Sequence, residues 1–169
     1  MNQPENEIVQ IVDRANKVID AVPRHIMRQQ RLIHRASYIL VFNSNSELFI
    51  QKRTLSKDIY PGYWDVAAGG VVLADESYEE SASRELQEEL GISDVQLQYQ
   101  FDQYYEDQDN RVWGRIFTCT HDGPFVLQEE EIDHGRFLAM DKSFQLSTTE
   151  PFTPDGLEIL EKVNGQLDQ

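Results

Sequence analysis

The residues with the clearest chemical potential are three glutamates that lie close together in one predicted helix. Glu85, Glu88 and Glu89 fall within residues 77–90, the strongest helical segment of the chain. Residues three and four apart share a helix face, so these carboxylates project in one direction and repel one another. Hard cations such as Mg²⁺ bind carboxylate oxygens, and a bound cation would turn this repulsion into affinity. The cluster is therefore a candidate metal site, with a solvated acidic face as the alternative.

These glutamates belong to a longer pattern of fixed spacing over residues 70–92. The segment reads GVVLADESYEESASRELQEELGI, and its fixed positions are Gly70, Glu76, Arg84-Glu85-Leu86, Glu88-Glu89 and Gly91-Ile92. The pattern matches the Nudix signature at every fixed position, in the loop–helix–loop context that the signature requires. A match of this length is far more specific than a short glycine motif. The chain is therefore identified as resembling the Nudix hydrolase family.

The resemblance implies a reaction and a role for each residue of the motif. Nudix proteins are mostly hydrolases of nucleoside diphosphates linked to another moiety, and they require Mg²⁺ or Mn²⁺. By this resemblance Glu88 and Glu89 are metal ligands, and Glu85 is a third ligand or the base that activates water. Arg84 orients the glutamates, and the backbone carbonyl of Gly69 or Gly70 supplies a further metal ligand. Such a site suits diphosphate cleavage, because metal ions neutralise phosphate charge and lower the pKa of the attacking water.

Four residues outside the motif are candidates for contact with the substrate. Arg53 and Lys57 are cations in an acidic chain and could meet phosphates, although ordinary surface charge is the alternative. Glu131 follows two other glutamates just before a predicted strand, where many Nudix proteins place an extra ligand or base. A solvated turn is the alternative there. Trp64 could stack on a base or line an apolar pocket, and core packing is its default interpretation.

A second resemblance covers roughly residues 30–165 and concerns the branch of the family. The run at residues 34–37 and the run at residues 48–53 are similar to isopentenyl-diphosphate isomerase, as are Lys57, Pro61, Gly62 and Trp64. Isomerase chemistry needs a cysteine near the start of the motif, but residues 65–69 contain none. Cys119 lies on a later predicted strand as an ordinary buried residue. We therefore expect an isomerase-like architecture with hydrolase chemistry, with an isomerase or a non-catalytic ligand-sensing module as alternatives.

The elements that must position these residues form an α+β pattern, in which strands surround one strong central helix. The Nudix resemblance implies an α/β/α sandwich with a mixed sheet, and we expect one domain over residues 1–169 with an N-terminal extension at residues 1–30. Two strands are predicted within residues 8–22, joined by a turn at Asn16. Further strands are predicted at 37–42, 48–53, 66–72, 95–106, 111–121 and 136–140, and helices at 24–32, 77–90 and 155–163.

Composition bounds the partners and the cellular setting. The 169 residues include 30 acidic and 15 basic side chains, and the net charge is −15. Such a surface would repel a nucleic-acid polymer, but it can hold cations that meet a small diphosphate substrate. No run of roughly 20 apolar residues is present to cross a membrane, and residues 1–7 have no apolar export core. We therefore expect a cytoplasmic protein without a membrane partner, and a homodimer stays open.

Overall fold

A computed structural model of the chain describes residues 4–167. The first three residues of the predicted extension and the last two of the predicted domain lie outside the described residues. After a short 3-10 helix at Pro4–Asn6, the strands are β1 Ile8–Val12, β2 Val18–Pro23, β3 His34–Phe42, β4 Leu48–Arg53, β5 Trp64–Asp65, β6 Ala68–Val71, β7 Gln98–Glu106, β8 Arg111–Thr120 and β9 Ile132–Leu138. The α-helices are α1 Arg24–Gln29, α2 Tyr78–Leu90, α3 Met140–Ser147 and α4 Pro154–Leu167.

The strands form a mixed sheet around β3. This strand runs parallel to β8 along its whole length, from the pair His34–Val112 to the pair Phe42–Thr120. It also pairs antiparallel with β6, β4 and β1. The outer strands add antiparallel pairs, β7 with β8 and β9 with β4. The mixed sheet of the predicted α+β fold is therefore confirmed.

Helices cover both faces of the sheet because the side chains of β3 alternate. Successive residues of a strand point to opposite faces. Ile39 and Val41 pack in one apolar cluster with the α2 residues Ala82, Leu86 and Leu90. Leu40 packs in a second cluster with the α4 residues Ile159 and Leu160. The result is the α/β/α sandwich, with α2 held on one face and α4 on the other.

The N-terminal extension is a hairpin followed by a short helix. β1 and β2 pair from Ile8–Pro23 onwards, and the turn between them holds Asn16 at a φ of 61°. Residue Ile11 of β1 pairs with His34 and so joins the hairpin to the main sheet. Val9, Ile11 and Met27 form a small apolar cluster with Val71 of β6. This packing places α1 beside the strand that leads into the predicted motif.

Several predicted elements differ from the observed ones in their bounds. The strand predicted at 37–42 begins at His34, the helix predicted at 24–32 ends at Gln29, and the helix predicted at 155–163 extends to Leu167. The strand expected at 66–72 is confined to Ala68–Val71, and the strand expected at 95–106 begins at Gln98. The strand expected at 136–140 was wrong at both ends, because pairing along all of β4 extends β9 back to Ile132. Met140 instead begins α3, a helix that was not predicted. Its N-cap residue, Ala139, has no side-chain capping bond, so the usual start signal is missing. Within residues 4–167, none of the helices has the length and apolar character needed to cross a bilayer.

Candidate active site

Helix α2 carries the predicted metal ligands and is fixed at both ends. At its start the Ser77 side chain accepts a hydrogen bond from the Glu80 N–H, and the Glu80 carboxylate accepts one from the Ser77 N–H. This capping box satisfies backbone donors that the helix leaves free. At its end Gly91 adopts the left-handed conformation with a φ of 68°, which glycine takes without strain. The caps define where the glutamates of the last two turns sit.

Strand β6 brings backbone and carboxylates together beneath the helix. The Gly69 N–H donates a hydrogen bond of 2.7 Å to Oε2 of Glu89. A Cβ atom at Gly70 would lie 2.6 Å from Oε1 of Glu85, so a glycine is needed for Glu85 to approach this closely. The structure thus places Glu85, Glu89 and Gly70 side by side.

Arg84 links the acidic side chains to one another. Its Nε and Nη2 atoms donate to the two carboxylate oxygens of Glu76, at 2.5 and 2.9 Å. Its Nη1 atom donates to Oε1 of Glu85 at 3.0 Å and to Oε2 of Glu88 at 3.2 Å. Burial opposes ionisation of Glu76, but the bonds from Arg84 outweigh it and lower the pKa of this carboxyl. Arg84 therefore occupies the position expected of a residue that orients the glutamates.

In two glutamates of this group, burial and neighbouring negative charges disfavour the ionised carboxylate. Burial raises the pKa of Glu85 to about 7, and the charge of Glu88 adds to the rise while Arg84 opposes it. Burial also raises the pKa of Glu89, and the charge of Glu85 raises it further. Carboxylates pressed together away from water favour a proton or a cation between them. The donor set of several carboxylates and a nearby backbone carbonyl fits a hard divalent cation.

The side chains are not yet arranged around a common ion. Among residues 4–167, no group of three His, Cys, Asp or Glu side chains is positioned to hold a metal as it stands. Arg84 occupies one oxygen each of Glu85 and Glu88, and the Gly69 N–H occupies one oxygen of Glu89. The second oxygen of each carboxylate is the one that a cation would meet.

The glutamates of α2 line a recess together with basic side chains from other segments. We call this depression the glutamate recess, and its charged lining includes Arg24, Lys57, Glu85, Glu88, Glu89 and Glu131. Lys57 forms an ion pair with Glu131, so both of these predicted residues are brought to the site. The loop before β9 is tied to α2, because the Gln128 N–H donates to the Glu89 carbonyl at 2.9 Å. A cation and an anion could therefore be held next to each other here.

An inner cavity of about 80 Å³ opens beside the recess, and Gly69 and Gly70 line both spaces. Arg53 lines the inner cavity, but its Nη1 atom already donates to Asp65 at 3.1 Å and its Nη2 atom to the Ile59 carbonyl at 2.9 Å. Trp64 lies elsewhere, in the apolar core next to Phe152 with 4% of its surface exposed. The structure thus brings Arg53 to the cavity and leaves Trp64 in the core, its default interpretation.

Two further functional candidates are Arg24 and Arg28 of helix α1. Both line the inner cavity, and Arg24 also reaches the glutamate recess. Their Nε atoms donate to the same oxygen of Asp58, at 3.3 and 2.9 Å. Burial opposes ionisation of Asp58, but the two arginines outweigh it and lower its pKa. Two arginines four residues apart before the first long strand were the only signal in the sequence.

Comparison with known proteins identifies the class. The NUDIX domain family matches residues 32–161, and the chain belongs to this family. It is 43% identical over 154 residues to an uncharacterised Nudix hydrolase of Pseudomonas aeruginosa, covering 91% of each chain. It is 44% identical to the uncharacterised Nudix hydrolase YfcD of Escherichia coli, covering 91% of this chain and 84% of YfcD. The protein is therefore a Nudix hydrolase, of a class that hydrolyses pyrophosphate bonds in small phosphorylated substrates and generally uses divalent metals.

Solved structures agree with this assignment at the level of the fold. A protein of Deinococcus radiodurans superposes with a TM-score of 0.81 at 22% identity, covering 92% of this chain and 98% of that one. The NUDIX domain of Shewanella oneidensis NrtR, solved with ADP ribose, gives a TM-score of 0.61 at 16% identity, covering 79% and 88%. The α+β sandwich described above is thus the Nudix fold.

Proposed function

We propose that this enzyme binds Mg²⁺ or Mn²⁺ through Glu85, Glu88, Glu89 and the Gly70 carbonyl. With it, the enzyme cleaves the diphosphate bond of a nucleoside diphosphate linked to another moiety, or of a similar small organic diphosphate. One observation carries the proposal: the glutamates of α2 and the basic side chains of Arg24 and Lys57 line the same recess. A divalent cation suits the carboxylates, and phosphate oxygens suit the basic side chains.

Each side chain has a role that its position supports. The bound cation would supply charge neutralisation and a more acidic water. Arg84 holds Glu85 and Glu88 in place through its hydrogen bonds. Lys57 and Arg24 bind phosphate oxygens across the recess, with Lys57 released from its ion pair with Glu131. Glu85 is a third metal ligand or the base that accepts a proton from the attacking water, and Glu131 is an additional ligand or base.

The isomerase-like subgroup stays a prediction about architecture. Support for it comes from His34 and Arg53, two residues of the resembling runs that line the inner cavity together. Burial lowers the pKa of His34 to about 3, and the charge of Arg28 lowers it further, so this imidazole is neutral. Burial raises the pKa of the Cys119 thiol to about 11, which makes it a poor source of the thiolate that isomerase chemistry needs. We therefore propose hydrolysis as the activity.

The extension at residues 1–30 is proposed to be part of the same domain rather than a separate unit. It contributes Val9, Ile11 and Met27 to an apolar cluster that Val71 of β6 completes. Arg24 and Arg28 of the extension reach the inner cavity. A single domain over residues 1–169 is the simplest arrangement consistent with this packing.

The proposal is tested by measuring product release from a panel of diphosphates with Mg²⁺ or Mn²⁺. The panel spans nucleotide sugars, dinucleotides, damaged nucleotides and isoprenoid diphosphates. Removing one carboxylate charge with Glu88→Gln or Glu89→Gln should lower kcat by about 100-fold or more, because the cation loses a ligand. Glu79→Gln is the matched control: Glu79 lies on the same helix, paired with Arg115, and its loss should leave kcat unchanged.

Two other results would lead to different conclusions. Unchanged rates in both glutamine variants would remove the proposed metal site. Tight Mg²⁺-dependent binding of a ligand with no turnover anywhere in the panel would favour the ligand-sensing alternative over the enzyme.

A further inference from the structure

The inner cavity has a polar floor of its own, away from the glutamates of α2. Asp155, in the first turn of α4, lines this cavity and has only 7% of its surface exposed. Arg53, at the end of β4, lines it as well, with 16% of its side chain exposed. A carboxylate and a guanidinium are thus both held at the surface of one small buried space.

Each of these two side chains has one buried polar atom with no hydrogen-bond partner among residues 4–167. Oδ2 of Asp155 accepts a hydrogen bond from the Tyr38 hydroxyl at 2.7 Å, but Oδ1 has no donor. The terminal nitrogens of Arg53 bond to Asp65 and to the Ile59 carbonyl, but Nε has no acceptor. Buried polar atoms are nearly always paired, so each exception calls for an explanation. Here the exceptions are one acceptor and one donor, and the two residues that carry them line the same cavity.

The cavity is continuous with the place proposed for the diphosphate. Arg24, Lys57, Gly69 and Gly70 line both the inner cavity and the glutamate recess. A molecule with its diphosphate in the recess would therefore extend its organic end past the two glycines into the cavity. The volume of about 80 Å³ exceeds the 10–15 Å³ that one water molecule needs by this measure.

The charged and polar side chains around the cavity determine which kind of chemical group can bind in it. The basic side chains of the lining are already paired, Arg53 with Asp65, Lys57 with Glu131, and Arg24 and Arg28 with Asp58, so an anionic group would have to break one of these ion pairs and would also face Asp155. A cationic group would pair with Asp155 but would meet the positive charge of Arg53. A hydrocarbon group would leave both buried atoms unpaired, which is the costly outcome. A neutral group that donates one hydrogen bond and accepts another satisfies both atoms at once.

We propose that the inner cavity binds the organic end of the substrate through a hydroxyl or amide group, which donates to Oδ1 of Asp155 and accepts from Nε of Arg53. The substrates are then organic diphosphates with a hydroxyl- or amide-bearing moiety, and a simple isoprenoid diphosphate is a poor ligand. This inference rests on the proposed function, because the recess must hold the diphosphate for the organic end to reach the cavity. Asp155 is thereby a specificity-determining residue.

The test compares three non-hydrolysable probes by calorimetry, using the full chain with saturating Mg²⁺. All are monoesters of methylene diphosphonate, and their ester groups are 2-hydroxyethyl, 2-amino-2-oxoethyl and propyl. The propyl probe matches the hydroxyethyl probe in size but has no polar group. At least one polar probe should bind about tenfold more tightly than the propyl probe, because an unpaired buried group carries a penalty of that order. The tighter of the two polar probes identifies a hydroxyl or an amide as the preferred group.

Asp155→Ala should reduce this preference to less than about twofold, a change in a ratio that a general loss of stability would not produce. Glu158→Gln, an exposed change on the same helix, is the matched control and should retain the preference. If thermal unfolding indicates that Asp155→Ala does not fold, Asp155→Asn replaces it. The carboxamide oxygen of that variant can still accept the Tyr38 hydrogen bond, and the preference should again fall.

Three results would overturn the inference: equal affinity for all three probes, a preference that survives both Asp155 variants, or no binding of any probe. Equal affinity would mean that water molecules satisfy the two unpaired atoms. The proposed function is judged separately by hydrolysis and its loss in Glu88→Gln. If the protein hydrolyses diphosphates but binds all three probes equally, the proposed function stands and the cavity inference fails. If it binds the polar probes selectively but hydrolyses nothing, the cavity inference stands and the proposed function fails.

Discussion

A single guanidinium, that of Arg84, is hydrogen bonded to three carboxylates, those of Glu76, Glu85 and Glu88. A lysine would carry the same charge, but it lacks the planar fork that bridges several acceptors. We therefore expect Arg84→Lys to lower kcat by about 10- to 100-fold, the usual effect of losing a residue that orients metal ligands. Steady-state kinetics at saturating Mg²⁺ provides the measurement. The control is Arg14→Lys, where 69% of the side chain is exposed. Full activity of Arg84→Lys would mean that the glutamates hold their positions without this bridge.

The buried carboxyl of Asp155 should make the free energy of unfolding depend on pH. Burial raises the pKa of its carboxyl to about 6, and the charge of Asp65 adds to the rise. Between about pH 4 and pH 6 the folded state therefore holds a proton that the unfolded state has lost. The free energy of unfolding falls as the pH rises through this window, and the penalty persists above it. A shift of about 2 pKa units corresponds to a penalty of about 3 kcal/mol.

The change Asp155→Asn removes this ionisation and should stabilise the protein at pH 8 by about 1–3 kcal/mol, with little gain at pH 4. Urea unfolding at the two pH values measures the difference. Asp141→Asn, at an exposed position on α3, serves as the control, and its effect on the free energy of unfolding should be the same at pH 4 and pH 8. An equal effect of Asp155→Asn at pH 4 and pH 8 would contradict the raised pKa.

At the scale of elements, the contact between β6 and α2 decides how near the helix carboxylates come to the sheet. A Cβ atom at Gly70 would lie 2.6 Å from an oxygen of Glu85, so Gly70→Ala should displace that side chain. We expect kcat to fall by about tenfold or more while the melting temperature changes little, because the clash falls on the end of a flexible side chain. Gly165→Ala is the control, since a Cβ there meets nothing within 4 Å. A Gly70→Ala enzyme with normal kcat would remove the need for this close approach.

The elements themselves were predictable to different degrees, for physical reasons. Helix α2 has a capping box, an apolar stripe and a C-terminal glycine, so local signals agree with one another. The pairing of β3 with β8 is parallel and joins residues about 80 positions apart, as in the pair His34–Val112. Nothing local in either strand specifies that register. Helix α3 begins without a side-chain cap, so its start resembles the continuation of β9.

At the scale of the whole molecule, a divalent cation should stabilise the fold. A ligand that binds only the folded state adds about 2.7 kcal/mol at 100 times its Kd. We therefore expect the melting temperature to rise with added Mg²⁺ or Mn²⁺. The rise should be largely lost in Glu89→Gln, because this buried side chain is a proposed ligand. Glu161→Gln, an exposed position on α4, should keep the rise. A melting temperature that ignores both ions would argue against cation binding.

The candidate site was only partly visible in the sequence, because its parts come from distant segments. The spacing of Glu85, Glu88 and Glu89 on one helix predicted the acidic cluster without any structure. Arg24 and Asp155 lie 131 residues apart, and both reach the inner cavity only through the folding of the sheet between them. Their types alone, one basic and one acidic residue in a charged chain, carry no such information.

In the proposed site, the residues that would cleave the diphosphate bond differ from those that would select the organic end of the substrate. The carboxylates of α2 lie in the middle of the chain. The inner cavity combines residues of the same middle stretch, Arg53 among them, with Arg24 and Arg28 from the stretch before residue 32 and Asp155 from near the other terminus. Changes confined to the two ends of the chain could therefore alter which metabolites fit the cavity and leave the proposed metal site intact. A chimaera that receives residues 1–31 and 151–169 from a homologue should acquire the part of the donor's metabolite preference that these residues determine.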